Sequence, residues 1–147
     1  MALLTTARTA QAASVASFRF KHDDTMVSKA GGAAVDFGLA NFAATTFVAI
    51  PLPPNSIVTG GYIMRDEAFD TAGYTISVGD SSSSARYLAA TDLKALGATA
   101  LVPTGFVNES GLNIELTIDT VDNCTTGQAT LVVEYIVLGR AEQVQVA

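Results

Sequence analysis

The sequence predicts an all-β fold, an antiparallel β-sandwich of jelly-roll-like form with an extended N-terminal arm. Short runs in which apolar and polar residues alternate, the period of a half-buried strand, recur along the chain. Glycine, proline, asparagine and aspartate separate these runs, as is typical of antiparallel sandwiches. No segment has the apolar period of a long amphipathic helix, so the sequence disfavours parallel folds, which need crossover helices.

The length of 147 residues is that of one domain that can bury a core without metal or disulfide staples. Residues 1–14 are small and polar and lack a period of two, so we interpret them as the arm. Residues 15–147 then form a single β-sandwich domain. Within it, the alternation from Ala16 to His22 predicts the first strand. Residues 29–41 contain three glycines and no regular period, and they predict a loop.

We predict that the rest of the fold is organised around the stretch from Pro51 to Leu88. Its first residues are rich in proline, which cannot donate to a sheet ladder and therefore places a bend. The β-branched run at 45–50 and the run from Ile57 to Arg65 flank this bend and are predicted to pair as strands. The Gly60-Gly61 dipeptide in the second run predicts a β-bulge.

The segments that follow are predicted to be a strand, a loop and a helical turn. Alternation from Tyr74 to Val78 predicts the strand, and the serine-rich residues 79–84 predict a flexible loop. Thr91 is a suitable N-cap and Gly97 a suitable terminator, so a helix of under two turns is predicted between them.

The last third of the chain has the most regular alternation. Residues 112–118 predict one strand, and residues 130–138 predict another that ends in a continuous apolar run. Such a run is typical of a strand covered on both faces, so we expect the second strand to be central. The alternation predicts a core made of Phe18, Phe20, Ile57, Ile76, Val78, Leu112, Ile114, Leu116, Ile118, Leu131, Val133 and Tyr135.

Composition and charge limit the classes of partner. The chain is 49% hydrophobic and 15% charged, and a surface with so few charges favours contact with other protein. Its net charge is −6, while four basic and two acidic residues give residues 1–30 a charge of +2 and leave −8 for the rest. Without a basic cluster or a long apolar run, the sequence predicts neither nucleic-acid binding nor a membrane span. The single cysteine, Cys124, is interpreted as an unreactive residue near a turn.

One triplet suggests enzymatic chemistry. Gly79-Asp80-Ser81 follows a predicted strand and resembles the serine motif of the GDS-type esterases. A nucleophilic serine needs a base, and that family supplies it from a downstream Asp-x-x-His that this chain does not have. The chain's one histidine, His22, lies upstream. We therefore predict no catalytic residue and no enzyme activity.

Acidic residues in two predicted turns allow a weaker hypothesis of a structural calcium ion. They are Asp66, Glu67 and Asp70 in one turn and Asp119, Asp122 and Asn123 in the other. Calcium prefers oxygen ligands, but neither group has the spacing of an EF-hand loop. One cysteine and one histidine cannot form a usual zinc site. The sequence thus predicts no metal and no cofactor, with calcium as the alternative.

A serial set of segments from about Phe47 to Leu138 resembles small virion proteins of tailed bacteriophages, especially head decoration or cement proteins. The segments are Ile50-Pro51-Leu52-Pro53, Ile57-Val58-Thr59-Gly60-Gly61, Thr75-Ile76-Ser77-Val78-Gly79-Asp80, Arg86-Tyr87-Leu88-Ala89-Ala90-Thr91-Asp92, Leu101-Val102-Pro103-Thr104-Gly105 and Ala129-Thr130-Leu131-Val132-Val133-Glu134-Tyr135. The resemblance is to a structural module and carries no catalytic signature.

The resemblance implies a capsid cement protein on the surface of the virion, made in the host cytoplasm and bound to the major capsid protein. A component of the phage tail or baseplate is the alternative. Because capsids offer three-fold sites, a closed homotrimer is expected. The arm and the loop at 29–42 lack strand periodicity, so they are predicted to supply the partner contacts. The predicted contact residues are Leu3, Leu4, Arg8, Phe37 and Phe42. A frayed terminus and a loop packed on its own domain are the alternatives.

Overall fold

A computed structural model describes residues 6–9, 13–38, 44–139 and 142–145. All regular elements in these ranges are β-strands, which confirms the predicted all-β antiparallel fold. In chain order they are β1 (Thr6–Thr9), β2 (Ser14–Lys21), β3 (Thr25–Val27), β4 (Ala34–Asp36), β5 (Thr45–Ile50), β6 (Ser56–Glu67), β7 (Tyr74–Asp80), β8 (Ser83–Asp92), β9 (Gly97–Ala100), β10 (Val107–Asn108), β11 (Ile114–Thr120), β12 (Gln128–Val137) and β13 (Glu142–Gln145). The described residues contain no helix long and apolar enough to cross a membrane.

The strands form two main sheets and two small ladders. Sheet I has the order β2-β12-β6, and both β9 and β10 pair with the far side of β6. Sheet II has the order β5-β11-β7-β8. The small ladders join β3 to β4 and β1 to β13. Because β12 lies between β6 and β2, the prediction that it is a central strand is confirmed.

The core lies between sheets I and II and is rich in aromatic rings. Phe20 of sheet I, Phe37 after β4 and Phe47 of sheet II are each at most 2% exposed. The ring centres of Phe20 and Phe37 are 5.4 Å apart, and those of Phe37 and Phe47 are 4.9 Å apart, distances typical of tilted and edge contacts. Phe69 stacks on Tyr74 at 4.0 Å. This chain of rings joins the two sheets.

Most of the predicted core is confirmed, and two residues are not. Ten of the twelve predicted residues are buried in the core or packed against it. Leu112 precedes β11 and is only half-buried, because the strand begins at Ile114. Ile57 is half-buried as well, while Val58 beside it is 3% exposed.

A β-bulge explains the error at Ile57. Gly60 lies opposite Glu134 and Val58 lies opposite Tyr135, so Thr59 is an extra residue in β6. The bulge confirms the prediction made from the glycine pair. One extra residue exchanges the two faces of the strand beyond it, which turns Val58 toward the core and Ile57 away from it.

Four local predictions are wrong. The segment 29–41, predicted as a loop, contains strand β4, which pairs with β3. The run at 45–50 pairs with β11 and not with β6, because the proline bend carries the chain from sheet II to sheet I. In the serine segment 79–84, predicted as a flexible loop, only Ser81 and Ser82 form the tight turn between β7 and β8, and the other residues belong to these two strands. Thr91 lies in strand β8, so the helical turn predicted from it is absent; Asp92 instead accepts a hydrogen bond from the backbone N–H of Lys94 at 2.7 Å.

The described part of the predicted arm contains a strand. Thr6 to Thr9 of β1 lie opposite Gln145 to Glu142 of β13, so the N-terminal segment pairs with the C-terminal one. Alternation did not reveal this strand because the segment has few apolar residues. The division of the chain into an arm at 1–14 and a domain at 15–147 stays a prediction.

Candidate functional site

The outer face of sheet I carries a row of exposed side chains centred on Val132. Val132 lies opposite Tyr62 on one side and Ser17 on the other, and Tyr62 lies opposite Ala100. Residues opposite each other in a ladder share a face. The residues on either side of Val132 in β12, Leu131 and Val133, are fully buried. Because successive side chains of a strand point to opposite faces, the row of Val132 faces away from the core.

Three parallel rows extend this outer face. Thr130 lies between Met64 and Arg19, Glu134 between Gly60 and Val15, and Ile136 opposite Ile57, which in turn lies opposite Val107. Val15 is 63% exposed, and Tyr62 and Met64 are each 39% exposed. We name as the apolar face the set Val15, Ile57, Tyr62, Met64, Ala98, Ala100, Val107, Val132 and Ile136. Arg19, Thr130 and Glu134 lie among these apolar side chains in the same rows. Exposed apolar side chains grouped on one face of a sheet are typical of an interaction site.

Polar groups border the apolar face at one end. Lys21, Gln128 and Glu67 form the last row of sheet I. Asp66 accepts a hydrogen bond from the Thr130 hydroxyl at 2.8 Å and one from the Gln128 amide at 3.3 Å. An apolar centre with a polar rim is the usual composition of a protein interface.

Two of the five predicted contact residues, Arg8 and Phe37, lie in the described part of the chain, and Phe37 must be corrected. The Phe37 side chain is 2% exposed and packs between Phe20 and Phe47, so it contributes to the core and offers no surface to a partner. Leu3, Leu4 and Phe42 lie outside the described residues. Arg8 is in strand β1, where its backbone lies opposite Gln143.

Of the esterase-like triplet, Gly79 and Asp80 end strand β7 and Ser81 lies in the turn after it. Asp80 has a side chain 2% exposed, which binds the Arg86 guanidinium at 2.5 Å and accepts hydrogen bonds from the backbone N–H groups of Ser82 and Ser83 at 2.9 Å. Burial raises the pKa of Asp80, but the hydrogen bonds from Arg86, Ser82 and Ser83 outweigh it and leave the pKa below its ordinary value. Arg86 also lies 3.6 Å from the ring centre of Phe106. The aspartate thus organises the turn after β7.

Asp70, one of the acidic residues considered as calcium ligands, also has structural partners. Asp70 accepts hydrogen bonds from the Thr125 hydroxyl at 2.5 Å and from the backbone N–H groups of Thr125 and Thr126 at 2.7 and 3.0 Å. These bonds lower the pKa of Asp70 to about 2, with the Thr125 hydroxyl contributing most. Among the described residues, no group of three acidic, histidine or cysteine side chains could hold a metal ion.

Cys124 is a buried free thiol next to these threonines. Burial raises the pKa of its thiol to about 11, so it stays protonated at neutral pH. A protonated thiol is a poor nucleophile, which agrees with the prediction that Cys124 is unreactive.

Sequence reasoning missed the apolar face because alternation was used only to find residues that point inward. The signal was present in β12, where Val132 continues an apolar run on the side opposite Leu131 and Val133. The prediction of cover on both faces rests on a different run, Tyr135 to Leu138, at the end of the strand. In the described residues the outer side chains Val132 and Ile136 are only half-buried.

Comparisons with known proteins give relatives by structure alone. No protein-family model and no curated protein matches the sequence. A chain of the acidic stable capsid structure of Helicobacter pylori bacteriophage KHP30 aligns over 95% of this chain and 98% of its own length, with a TM-score of 0.65 and 13% identity. A chain of the cyanophage Pam1 capsid asymmetric unit aligns over 85% of this chain and 84% of its own, with a TM-score of 0.57 and 18% identity. The chain therefore shares its fold with chains of two phage capsid structures.

Proposed function

We propose that the chain is a phage virion structural protein, specifically a capsid cement or decoration protein. In this proposal it binds the assembled head and stabilises contacts between subunits of the major capsid protein. The observation that carries the proposal is the fold that the chain shares, over nearly its whole length, with chains of two phage capsids. These relatives come from heads, which favours a head protein over a tail or baseplate component.

The proposed role requires binding and no catalysis. A protein that binds the assembled shell but not dispersed subunits stabilises the shell by mass action. The same protein, made in the host cytoplasm, would be carried on the capsid surface of the virion. From the sequence we propose that three copies associate around a three-fold site of the shell. A trimeric mass in light scattering would support this association.

We assign the apolar face of sheet I to the contact with the major capsid protein. Its central row presents Tyr62 and Val132 beside the smaller Ser17 and Ala100, a surface that another protein surface can cover. Four strands spaced about 4.8 Å apart and six residues along each give a flat area of about 400 Å². A standard interface buries about 800 Å² per partner, so this face would supply part of the contact.

The test is binding to purified phage heads that lack the protein. Wild-type protein should sediment with these heads and raise the temperature at which they disrupt. Val132→Lys puts a charge at the centre of the apolar face, and we expect it to weaken binding at least tenfold, because an unpaired charge must be buried.

Val48→Lys is the matched control. Val48 is a half-buried valine on the outer face of sheet II, opposite Glu115, and we expect its substitution to leave binding unchanged. Far-UV circular dichroism and thermal denaturation establish that both variants are folded. Failure of wild-type protein to bind any head would overturn the cement function, and equal binding by the Val132→Lys variant would overturn the assignment of the face.

A further inference from the structure

The two ends of the described chain form a ladder of their own. Strand β1 pairs with β13 over four residues, from Thr6 opposite Gln145 to Thr9 opposite Glu142. Neither strand pairs with sheet I or sheet II in the described part of the chain. We name this ladder the terminal ribbon.

The terminal ribbon is tied to one end of sheet I. Residues 10–13 connect β1 to β2, and residues 138–141 connect β12 to β13. Four connecting residues reach at most roughly 17 Å, so the ribbon lies near the end of the β2–β12 ladder, where Ser14 is opposite Tyr135. That end also carries Val15 and Ile136 of the apolar face. The ribbon is therefore close to the surface assigned to the major capsid protein.

A ribbon of this kind lacks the means to be stable alone. An isolated pair of strands is marginal in water unless a third strand or an apolar layer packs against it. The ribbon strands have the sequences Thr-Ala-Arg-Thr and Glu-Gln-Val-Gln, in which valine is the one large apolar residue. Packing of apolar side chains therefore supplies little stability to it.

Backbone hydrogen bonding is the interaction that remains. The outer edge of each strand in a two-strand ribbon presents N–H and C=O groups that point away from the ladder. An extended segment can add to an exposed strand edge through these groups, with affinity that comes from the main chain. A polar ribbon can bind such an edge through its backbone groups, whereas it has little apolar surface with which to bind an apolar groove.

We propose that the two chain termini act as one limb, the terminal ribbon, which adds to an exposed strand edge of the major capsid subunit that the apolar face contacts. This inference rests on the proposed cement function and extends it, because the C-terminal strand becomes as necessary for binding as the N-terminal one. The limb also enlarges a contact that the apolar face alone leaves below the usual size.

Truncations test whether the termini act together. The proteins 14–147, 1–139 and 14–139 retain every strand of sheets I and II. We expect each single truncation to weaken binding to heads that lack the protein at least tenfold. The double truncation should weaken it no further, because either deletion already removes the ribbon. An N-terminal segment that binds by itself would leave 1–139 with full affinity, and that result would overturn the proposal.

Point variants address the same question in a full-length chain. Ala7→Pro and Val144→Pro each remove one backbone donor from the ribbon, and both should weaken binding to a similar extent. Binding of either variant with wild-type affinity would count against strand addition. If the unmodified protein does not bind heads, the cement function is overturned. If it binds and a variant of the ribbon binds equally well, only the ribbon proposal is overturned.

Cross-linking tests the ribbon independently of affinity. Ala7 lies opposite Val144, so Ala7→Cys with Val144→Cys should form a disulfide, while Ala7→Cys with Gln143→Cys, which is one position out of register, should form far less. Equal yields would overturn the register. A photoreactive residue at Gln143 should become attached to the major capsid subunit on heads. Attachment to a second copy of this chain would overturn the partner.

Discussion

The two sheets of the sandwich supply one core, but their outer faces differ in chemistry. The central outer row of sheet II places Thr117 between Thr46 and Ser77, and the hydroxyls of Thr46 and Thr117 are 3.1 Å apart. The equivalent row of sheet I places Val132 between Tyr62 and Ser17. One face therefore has hydroxyl groups suited to water, and the other has apolar surface suited to protein.

On sheet II, a charged group of the outer face has a partner within the chain. On sheet II, the Glu115 carboxylate is paired with Lys29 at 2.8 Å, and the Lys29 backbone N–H donates to the Thr46 carbonyl at 2.8 Å. Lys29 thus covers part of the outer face of sheet II. On sheet I the centre of the apolar face is left uncovered by the described residues. The inward positions of both sheets therefore specify the fold, while the outward positions of sheet I carry the proposed binding function.

The largest expected effect comes from the shared core. Leu116 of sheet II and Leu131 of sheet I are fully buried, so Leu116→Ala and Leu131→Ala should each lower the free energy of unfolding by about 2–5 kcal/mol. Chemical denaturation measures this change. If one substitution left the denaturation midpoint near that of the wild type, the two sheets would not share a core as described.

A smaller effect is expected at the bulge that determines which residues of β6 face outward. Gly61 has a φ of 131°, and a Cβ there would lie 2.1 Å from the Val132 carbonyl oxygen. Gly61→Ala should therefore destabilise the protein by about 1–3 kcal/mol. Gly60→Ala is the matched control, because a Cβ there meets only the Glu134 carboxylate at 3.4 Å. Equal stability of the two variants would contradict the bulge geometry.

The bulge also marks the limit of what the sequence could predict about the fold. Alternation correctly identified β2, β7 and β12 and the inward side of most of their residues. It failed at Ile57, because a glycine pair predicts that a bulge exists but not which neighbouring residue is the extra one. Thr59 is that residue. A shift of one position is enough to exchange the faces of a strand.

Pairing between distant segments could not be predicted from the sequence, for a different reason. The pairing of β5 with β11 and of β1 with β13 depends on how the whole chain closes, and local composition carries no record of it. The candidate site was missed for the same reason. Val132, Tyr62 and Ser17 become neighbours only through the register of three strands that are far apart in sequence.

Two serines, one on each sheet, allow matched substitutions that compare the two outer faces directly. Ser17 lies beside Val132 on sheet I, and Ser77 lies beside Thr117 on sheet II. We expect Ser17→Lys to weaken binding to phage heads about tenfold, or about 1.4 kcal/mol, and Ser77→Lys to leave binding unchanged. Both should stay within about 0.5 kcal/mol of wild-type stability, because neither side chain is in the core. Equal loss of binding in the two variants would show that the outer faces do not differ in function.

The smallest expected effect concerns the connections that hold the two sheets together. Asp70 lies between β6 and β7, where the chain crosses from sheet I to sheet II, and its partners Thr125 and Thr126 lie where it crosses back. The pKa of Asp70 is lowered from 3.8 to about 2, so ionised Asp70 favours the folded state. This contribution is complete above the ordinary pKa and is lost as the pH falls through about 2. Asp70→Asn should therefore lower the urea denaturation midpoint slightly at pH 6, with a difference from wild type that shrinks between pH 4 and pH 2. Thr125→Ala should also lower the midpoint, whereas Thr125→Ser should retain most of the effect of the native hydroxyl. A difference in midpoint between Asp70→Asn and wild type that stays constant down to pH 2 would contradict this account.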